Sequence, residues 1–312
     1  MTTEIKRVAI LTIKFAIIVI LVDFSFGLVA KKLFLSQKTG KYARSSYVVN
    51  DSKDDIIVFG SSHAIRHYIP EIIQAKTGKT CYNAGAEGQQ LIYHTALQKI
   101  LLKRHRPELI ILNIDEEFLF KSDKAFNRLS DLHPYYATNK KELNPFLRLN
   151  SNYNDYKLLF KAFQYNSTFV RVLKYKMAPQ LSDKGYRPLH EVMTPEQLAA
   201  YTQHPPKKIY TEELEPIFVQ LLKDFINEAK KHKVKLIFVS SPKFDNQDLA
   251  NNPSFSTIKA IAKSEGVPFY NYLNATNYLN KIDLFYDPSH LNHKGATLFN
   301  NDLVENITSH LD

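Results

Sequence analysis

Short runs of β-branched and aliphatic residues alternate with helical patterns from Asp51 to the end of the chain. The runs predict five strands, at residues 56–59, 80–83, 109–114, 235–240 and 267–272. Before the fourth strand, apolar residues recur at the spacing of one helix face, and this face would pack on a sheet; they are Ile217, Leu221, Leu222, Phe225, Ile226 and Ala229. Strands that alternate with helices are typical of a parallel sheet covered on both sides. The sequence therefore predicts a flavodoxin-like, three-layer α/β/α fold.

One interval breaks this alternation. About 100 residues, roughly 116–215, separate the third and fourth predicted strands, and a simple crossover needs far fewer. The interval is rich in Tyr, Phe, Asn and Lys, and we expect a mainly helical insertion. Its aromatic residues can form a local core, or they can form a cap that determines substrate specificity at the carboxyl edge of the sheet.

Residues 8–30 form an apolar run long enough to cross a bilayer, although Lys14 and Asp23 interrupt it. We expect a transmembrane anchor here, after a tail at 1–7 and before a linker at 31–50 and a domain at 51–312. The alternative is a cleaved signal peptide, because Ser25-Phe26-Gly27 resembles a small-x-small cleavage site after an apolar core. The single cysteine, Cys81, excludes an intrachain disulfide framework and leaves the compartment open.

The chain is basic, with 41 Lys and Arg against 31 Asp and Glu and a net charge of +10. Such a charge suits anionic lipid headgroups, an anionic envelope polymer or nucleic acid. No nucleic-acid motif accompanies it, so we expect a solvated basic surface and no nucleic-acid partner. Basic residues lie on both sides of the apolar run. A simple count of them places the body of the protein in the cytoplasm, but long domains can be translocated largely regardless of charge, so the orientation of the run stays open.

The first predicted strand ends in FGSSHA. Gly60, Ser61 and Ser62 would form a tight turn from strand to helix, on which a serine hydroxyl is exposed at the carboxyl edge of the sheet. The alternative for such a serine is a simple helix N-cap.

Two further motifs occur at the ends of later elements. The second strand is followed by NAGAEG, in which Gly88 would let a backbone amide approach a reacting oxygen, as an oxyanion hole requires. A dinucleotide loop would need a complete G-x-G-x-x-G, which is missing. Near the C-terminus, Asp287 and His290 are three residues apart in YDPSHLNHKGA. The carboxylate could orient the imidazole toward a serine, as in a Ser-His-Asp triad.

These blocks, in this order, resemble those of the SGNH (GDSL-like) hydrolase superfamily, and in particular its membrane-anchored bacterial members that transfer D-alanyl groups or work with O-acyltransferases. The resemblance covers about residues 54–120 and 234–310 and implies the SGNH fold. It implies that Ser62 is the nucleophile, that Asp287 and His290 complete the triad, and that the amides of Gly88 and Ser62 bind the oxyanion. His63, Asn83 and Asn292 are candidates for positions around this site.

One family block departs from the pattern. Where SGNH hydrolases have Gly-x-Asn-Asp after the third strand, this chain reads LNIDEEF, with Asp115, Glu116 and Glu117. The usual oxyanion asparagine is absent. Loss of one such donor typically slows catalysis by about 10² to 10³, so another group substitutes or the activity is low.

We therefore expect a membrane-anchored serine esterase or O-acyltransferase that acts on acyl esters, such as O-acetyl groups, of a cell-envelope glycan or lipid. Its partners would be an acylated carbohydrate or lipid, the membrane and a membrane-bound acyltransferase, and its catalytic domain would be extracytoplasmic, periplasmic or on the cell surface. No cofactor or metal is expected, since no set of residues has zinc-ligand spacing. The rival interpretation is a catalytically silent module that binds an envelope glycan or an acyltransferase.

Overall fold

A computed structural model of the protein describes residues 3–149, 151, 153–203, 210 and 212–311. The chain forms two compact units. Unit 1 consists of Met1–Ala43 and Phe126–Gln180, and unit 2 consists of Arg44–Ala125 and Leu181–Asp312. The predicted insertion at 116–215 contributes to both units, and the domain boundaries proposed from the sequence stay predictions.

The described part of the chain alternates strands and helices after residue 50. The strands are β1 (Ile56–Phe59), β2 (Cys81–Asn83), β3 (Leu109–Asn113), β4 (Lys235–Ser240), β5 (Phe269–Asn271), β6 (Phe285–Asp287) and β7 (His290–Leu291). The α-helices are α1 (Thr3–Leu35), α2 (Lys41–Asn50), α3 (Ser62–His67), α4 (Pro70–Thr77), α5 (Leu91–Leu102), α6 (Asp123–Asn127), α7 (Lys140–Leu147), α8 (Asn154–Lys157), α9 (Lys161–Met177), α10 (Pro195–Gln203), α11 (Pro216–Lys231), α12 (Pro253–Glu265) and α13 (His293–Thr308). Short 3₁₀ segments cover Arg128–Tyr135 and Ile282–Leu284.

Unit 2 contains a five-stranded parallel sheet with the strand order β2-β1-β3-β4-β5. The order 2-1-3-4-5 is that of flavodoxin-like sheets, in which ligands bind beyond the carboxyl ends of the strands, near the point where the order reverses. Here that point lies between β1 and β3, which pair from Ile56 with Leu109 to Phe59 with Leu112. The α/β fold and the five strands predicted from the sequence are confirmed, with ends that differ by at most two residues.

Alternation along the strands gives the sheet two apolar faces. Ile56, Val58 and Ile111 belong to a buried cluster that includes residues of α3, α4 and α13. On the opposite side, the Phe59 ring lies 5.8 Å from that of Phe225 on α11. Helices therefore cover both faces, as the three-layer prediction requires.

Unit 1 is built around α1, whose most apolar stretch has a mean hydropathy of 2.4. This helix is long and apolar enough to be a membrane span or a signal sequence. It extends past both ends of the apolar run. Its last turns pack on the rest of unit 1 and bury Ala30 and Phe34. The predicted linker at 31–50 accordingly contains the end of α1 and all of α2. The first two residues of the predicted tail lie outside the described residues.

Candidate active site

Ser62 is the first residue of α3, directly beyond the carboxyl end of β1. Gly60 allows this tight turn: its φ is 145°, and a Cβ there would lie 2.8 Å from the Cβ atoms of Ala64 and Asn113. Ser61 is the N-cap, and its hydroxyl accepts a hydrogen bond from the amide of His63 at 3.3 Å. Since Ser61 caps the helix, the hydroxyl of the half-buried Ser62 is available for another interaction.

Asp287 and His290 face each other across a tight antiparallel hairpin formed by β6 and β7. One carboxylate oxygen of Asp287 accepts the amides of Ser289, at 2.8 Å, and His290, at 2.9 Å. Burial by itself would raise the pKa of Asp287, but the hydrogen bonds from the His290 ring and from these amides outweigh it, and the pKa lies below its ordinary value. The hairpin therefore holds an ionised carboxylate next to an imidazole.

The hydrogen bonds of the His290 ring connect this carboxylate to Ser62. His290 Nδ1 lies 2.9 and 3.0 Å from the two carboxylate oxygens of Asp287, so Nδ1 carries the proton and donates it. His290 Nε2 lies 2.9 Å from Ser62 Oγ and can accept the hydroxyl proton. The structure thus brings Ser62, His290 and Asp287 together in the order of a Ser-His-Asp triad.

Buried His67 connects the helix that carries Ser62 to the strand that carries His290. His67 Nε2 accepts the amide of Leu291 at 2.9 Å, so Nδ1 carries the proton and donates to Ser241 Oγ at 2.8 Å. Burial, followed by the neighbouring histidines, holds the pKa of His67 well below its usual range. A neutral His67 therefore fixes the separation between α3 and β7.

The loop after β2, which contains the two glycines of NAGAEG, lies against α3. Gly88 has a φ of 69° and is half-buried in a turn. The close approach to α3 is made by Gly85, where a Cβ would lie 2.5 Å from the amide nitrogen of Ile65. Glu87, next to Gly88, forms ion pairs with Arg66 of α3 and with Arg187. These contacts fasten the predicted oxyanion loop to the helix of Ser62.

Asn83 and Asn292 have structural roles near the site. Fully buried Asn83 donates to the carbonyls of Ala64 and Tyr68 at 2.8 Å and accepts the Gly85 amide at 2.9 Å. Asn292 is the N-cap of α13 and accepts the Gly295 amide at 3.0 Å. Both amides hold backbone segments in place around the three residues.

His63 belongs to a second histidine–carboxylate pair beside Ser62. His63 Nδ1 lies 2.7 Å from Asp115 Oδ1, which also accepts Asn113 Nδ2 at 3.0 Å. The ring of His63 stacks on that of His290, with centroids 5.3 Å apart. Burial opposes ionisation of Asp115, but His63 and the Ser61 hydroxyl outweigh it and lower its pKa. The first turn of α3 is thereby tied to the end of β3.

The two glutamates after Asp115 have different surroundings. Glu116 is buried and forms an ion pair with Lys243, whereas Glu117 is exposed. The pairs formed by Asp115 and Glu116 were not predicted from the sequence. The position of both acids immediately after β3, at the binding edge of a parallel sheet, is the signal that could have indicated them.

No family model matches the chain, and no curated protein matches it. Among solved structures, it is similar to an acylhydrolase candidate from Bacteroides fragilis, with 12% identity, a TM-score of 0.40, and coverage of 86% of this chain and 95% of the other. It is also similar to a GDSL-like lipase from Bacteroides thetaiotaomicron, with 12% identity, a TM-score of 0.39, and coverage of 86% and 98%. The chain itself has the flavodoxin-like strand order 2-1-3-4-5 that the resemblance to SGNH hydrolases implies.

Proposed function

We propose that the protein is a serine esterase or O-acyltransferase that forms an ester intermediate on Ser62. The observation that carries this proposal is the series of hydrogen bonds from Asp287 through His290 to Ser62. His290 Nδ1 lies 2.9 Å from Asp287 Oδ2, and His290 Nε2 lies 2.9 Å from Ser62 Oγ. A serine hydroxyl is a weak nucleophile, and an adjacent base oriented by a third group is the arrangement that activates it.

In the first half of the reaction, Ser62 Oγ attacks the carbonyl carbon of an acyl ester while His290 Nε2 takes its proton. Asp287 stabilises the imidazolium that results. Collapse of the tetrahedral intermediate breaks the bond to the alcohol, which leaves with the proton from His290. The acyl group is then bonded to Ser62.

In the second half, an acceptor hydroxyl attacks the carbonyl carbon of the acyl-serine while His290 again takes the proton. Collapse of this second tetrahedral intermediate breaks the bond between the acyl carbon and Ser62 Oγ, and His290 returns the proton to Ser62. Water as the acceptor gives hydrolysis, and a sugar hydroxyl gives transfer. We assign the oxyanion to the amides of Ser62 and Gly88. This assignment is supported by the positive φ at Gly88 and by the ion pairs that hold the preceding Glu87 to α3 and Arg187.

We further propose that the substrate is an acylated glycan or lipid of the cell envelope, with a membrane-bound acyltransferase as a partner and the catalytic unit on the outer side of the membrane. The apolar α1 helix and the net charge of +10 support this choice. Both features suit a protein held close to anionic envelope components.

Hydrolysis of an activated acetyl ester by the full-length protein tests the proposal. Ser62→Ala should lower kcat by about 10⁴ or more, because removal of the nucleophile leaves only the oxyanion donors and binding. Ser61→Ala is the matched control, since it removes the neighbouring hydroxyl and the helix cap, at a cost of about 1 kcal/mol in stability, and keeps the nucleophile. Equal loss of activity in both variants would contradict the assignment to Ser62.

A further inference from the structure

Asp23 interrupts the apolar α1 helix, and the start of α9 satisfies its carboxylate. Its two oxygens accept the amides of Lys161 and Ala162, each at 2.8 Å. These amides belong to the first turn of a helix, where backbone N–H groups have no partner within the helix and the dipole favours an anion. The contact fixes the first turn of α9 at the level of Asp23 along α1.

Close packing continues this contact beyond Asp23. A Cβ on Gly27 would lie 2.2 Å from Lys161 Cβ, and the rings of Phe26 and Phe169 are 5.2 Å apart. Before Asp23, by contrast, every residue of α1 from 3 to 22 is exposed. The first turn of α9 is therefore level with the end of the uncovered apolar part of α1.

Large apolar side chains are exposed at this level, in the segment that leads into α9. Tyr153, Tyr156, Leu159 and Phe160 are 54–69% exposed. Tyr156 and Phe160 line a groove of about 800 Å³ that we call the Asp23 groove, and its opposite wall is formed by Ile18, Val19 and Val22 of α1. Since that wall is part of the uncovered apolar run, the groove opens onto the same surroundings as the run.

We propose that residues 153–160 insert into the membrane beside α1 and that the Asp23 groove holds an acyl chain of a membrane phospholipid. Asp23 is seven residues before Ala30, hence about 10 Å below the end of the apolar run. Interfacial segments bury their apolar side chains about 5–10 Å into the boundary between headgroups and acyl chains. Tyrosine is favoured at that depth, and the exposed Lys157 at the groove can reach a lipid phosphate.

The chain has no tryptophan, so single Trp variants of the full-length protein report on depth. In vesicles of phosphatidylcholine and phosphatidylglycerol with brominated acyl chains, Phe160→Trp should lose most of its emission relative to unbrominated vesicles. Met177→Trp, at the last residue of α9, is the matched control: Met177 is 87% exposed and lies about 25 Å from Phe160 along the helix axis, and the variant should keep its emission. Val19→Trp, on α1, should be quenched.

Quenching of Val19→Trp without quenching of Phe160→Trp would overturn the proposal, and so would equal quenching of Phe160→Trp and Met177→Trp. If neither Phe160→Trp nor Val19→Trp is quenched, α1 does not span the bilayer and the proposal fails with it.

A phospholipid with a diazirine on its acyl chain should label peptides that line the Asp23 groove. Crosslinking of this surface to a second copy of the chain, without lipid labelling, would identify a protein occupant and contradict the lipid assignment. Ester hydrolysis by the same variants reports separately on the function proposed for Ser62.

Discussion

Individual polar residues around Ser62 divide into one group that can react and another that positions it. Ser62, His290 and Asp287 form the first group. The second includes His67, which links Leu291 to Ser241, and Asp115, which binds His63 and Asn113. The pKa values of Asp287 and Asp115 are both lowered, although burial opposes this. Ionised carboxylates therefore stabilise the folded protein on both sides of the nucleophile.

Asp115 should make stability depend on pH in the acid range. Because its pKa is lower in the folded chain than in the unfolded chain, its contribution is complete above the unfolded value of about 4. It is lost as the pH falls through the folded value. We expect Asp115→Asn to lower the free energy of unfolding at pH 7 by about 1–3 kcal/mol and to make the acid limb of the stability profile shallower.

Urea unfolding of the full-length protein, followed by circular dichroism from pH 7 to pH 3, measures this effect. The exposed Asp51→Asn is the control and should change the profile little. An acid limb for Asp115→Asn as steep as that of the wild type would show that the hydrogen bond between Asp115 and His63 does not contribute.

At the scale of elements, α3 is the part on which the site depends. Its N-terminus presents Ser62, its side faces the loop after β2, and its last residue, His67, holds β7. The contact with the loop is possible because Gly85 has no side chain. A Cβ there would lie 2.5 Å from the Ile65 amide nitrogen and 2.9 Å from Ala64 Cβ. Backbone atoms cannot move aside as a flexible side chain can, so α3 itself would have to shift.

Gly85→Ala should therefore reduce both stability and activity. We expect a loss of about 1–3 kcal/mol from overpacking and a decrease in kcat of up to about 10²-fold, since a shift of 1 Å in a catalytic group can have that effect. Gly78→Ala is the control: its Cβ would meet no atom within 4 Å, and its cost is limited to a left-handed backbone conformation. Unfolding midpoints and ester hydrolysis, measured on the same preparations, distinguish the effect on stability from the effect on activity. A Gly85→Ala variant equal to Gly78→Ala in both stability and activity would contradict the close packing of the loop on α3.

At the scale of the whole molecule, local patterns predicted the elements. The family resemblance implied the contact of Ser62 with His290, but other contacts between distant segments were not predicted. Hydrophobic patterns of period two and period 3.6 involve neighbouring residues, so all five sheet strands could be predicted. The turn that carries Ser62 and the three-residue spacing of Asp287 and His290 are also local features of the sequence. The pair of His63 and Asp115 joins residues 52 positions apart, and that of Asp23 and Lys161 joins residues 138 apart. No sequence period connects them. Asp23 therefore appeared only as an interruption of an apolar run until the fold placed α9 beside it.

Peptide-resolved mass spectrometry of the full-length protein, after treatment with a serine-reactive phosphonate, tests most directly whether Ser62 is the nucleophile. We predict one adduct, on Ser62, which is absent in Ser62→Ala, retained in Ser61→Ala and formed more slowly in Asp287→Asn. An adduct on another serine would rule out Ser62 as the nucleophile. So would a folded wild-type protein that reacts with neither the phosphonate nor an acetyl ester, and this result would favour a binding module that keeps the fold without the chemistry.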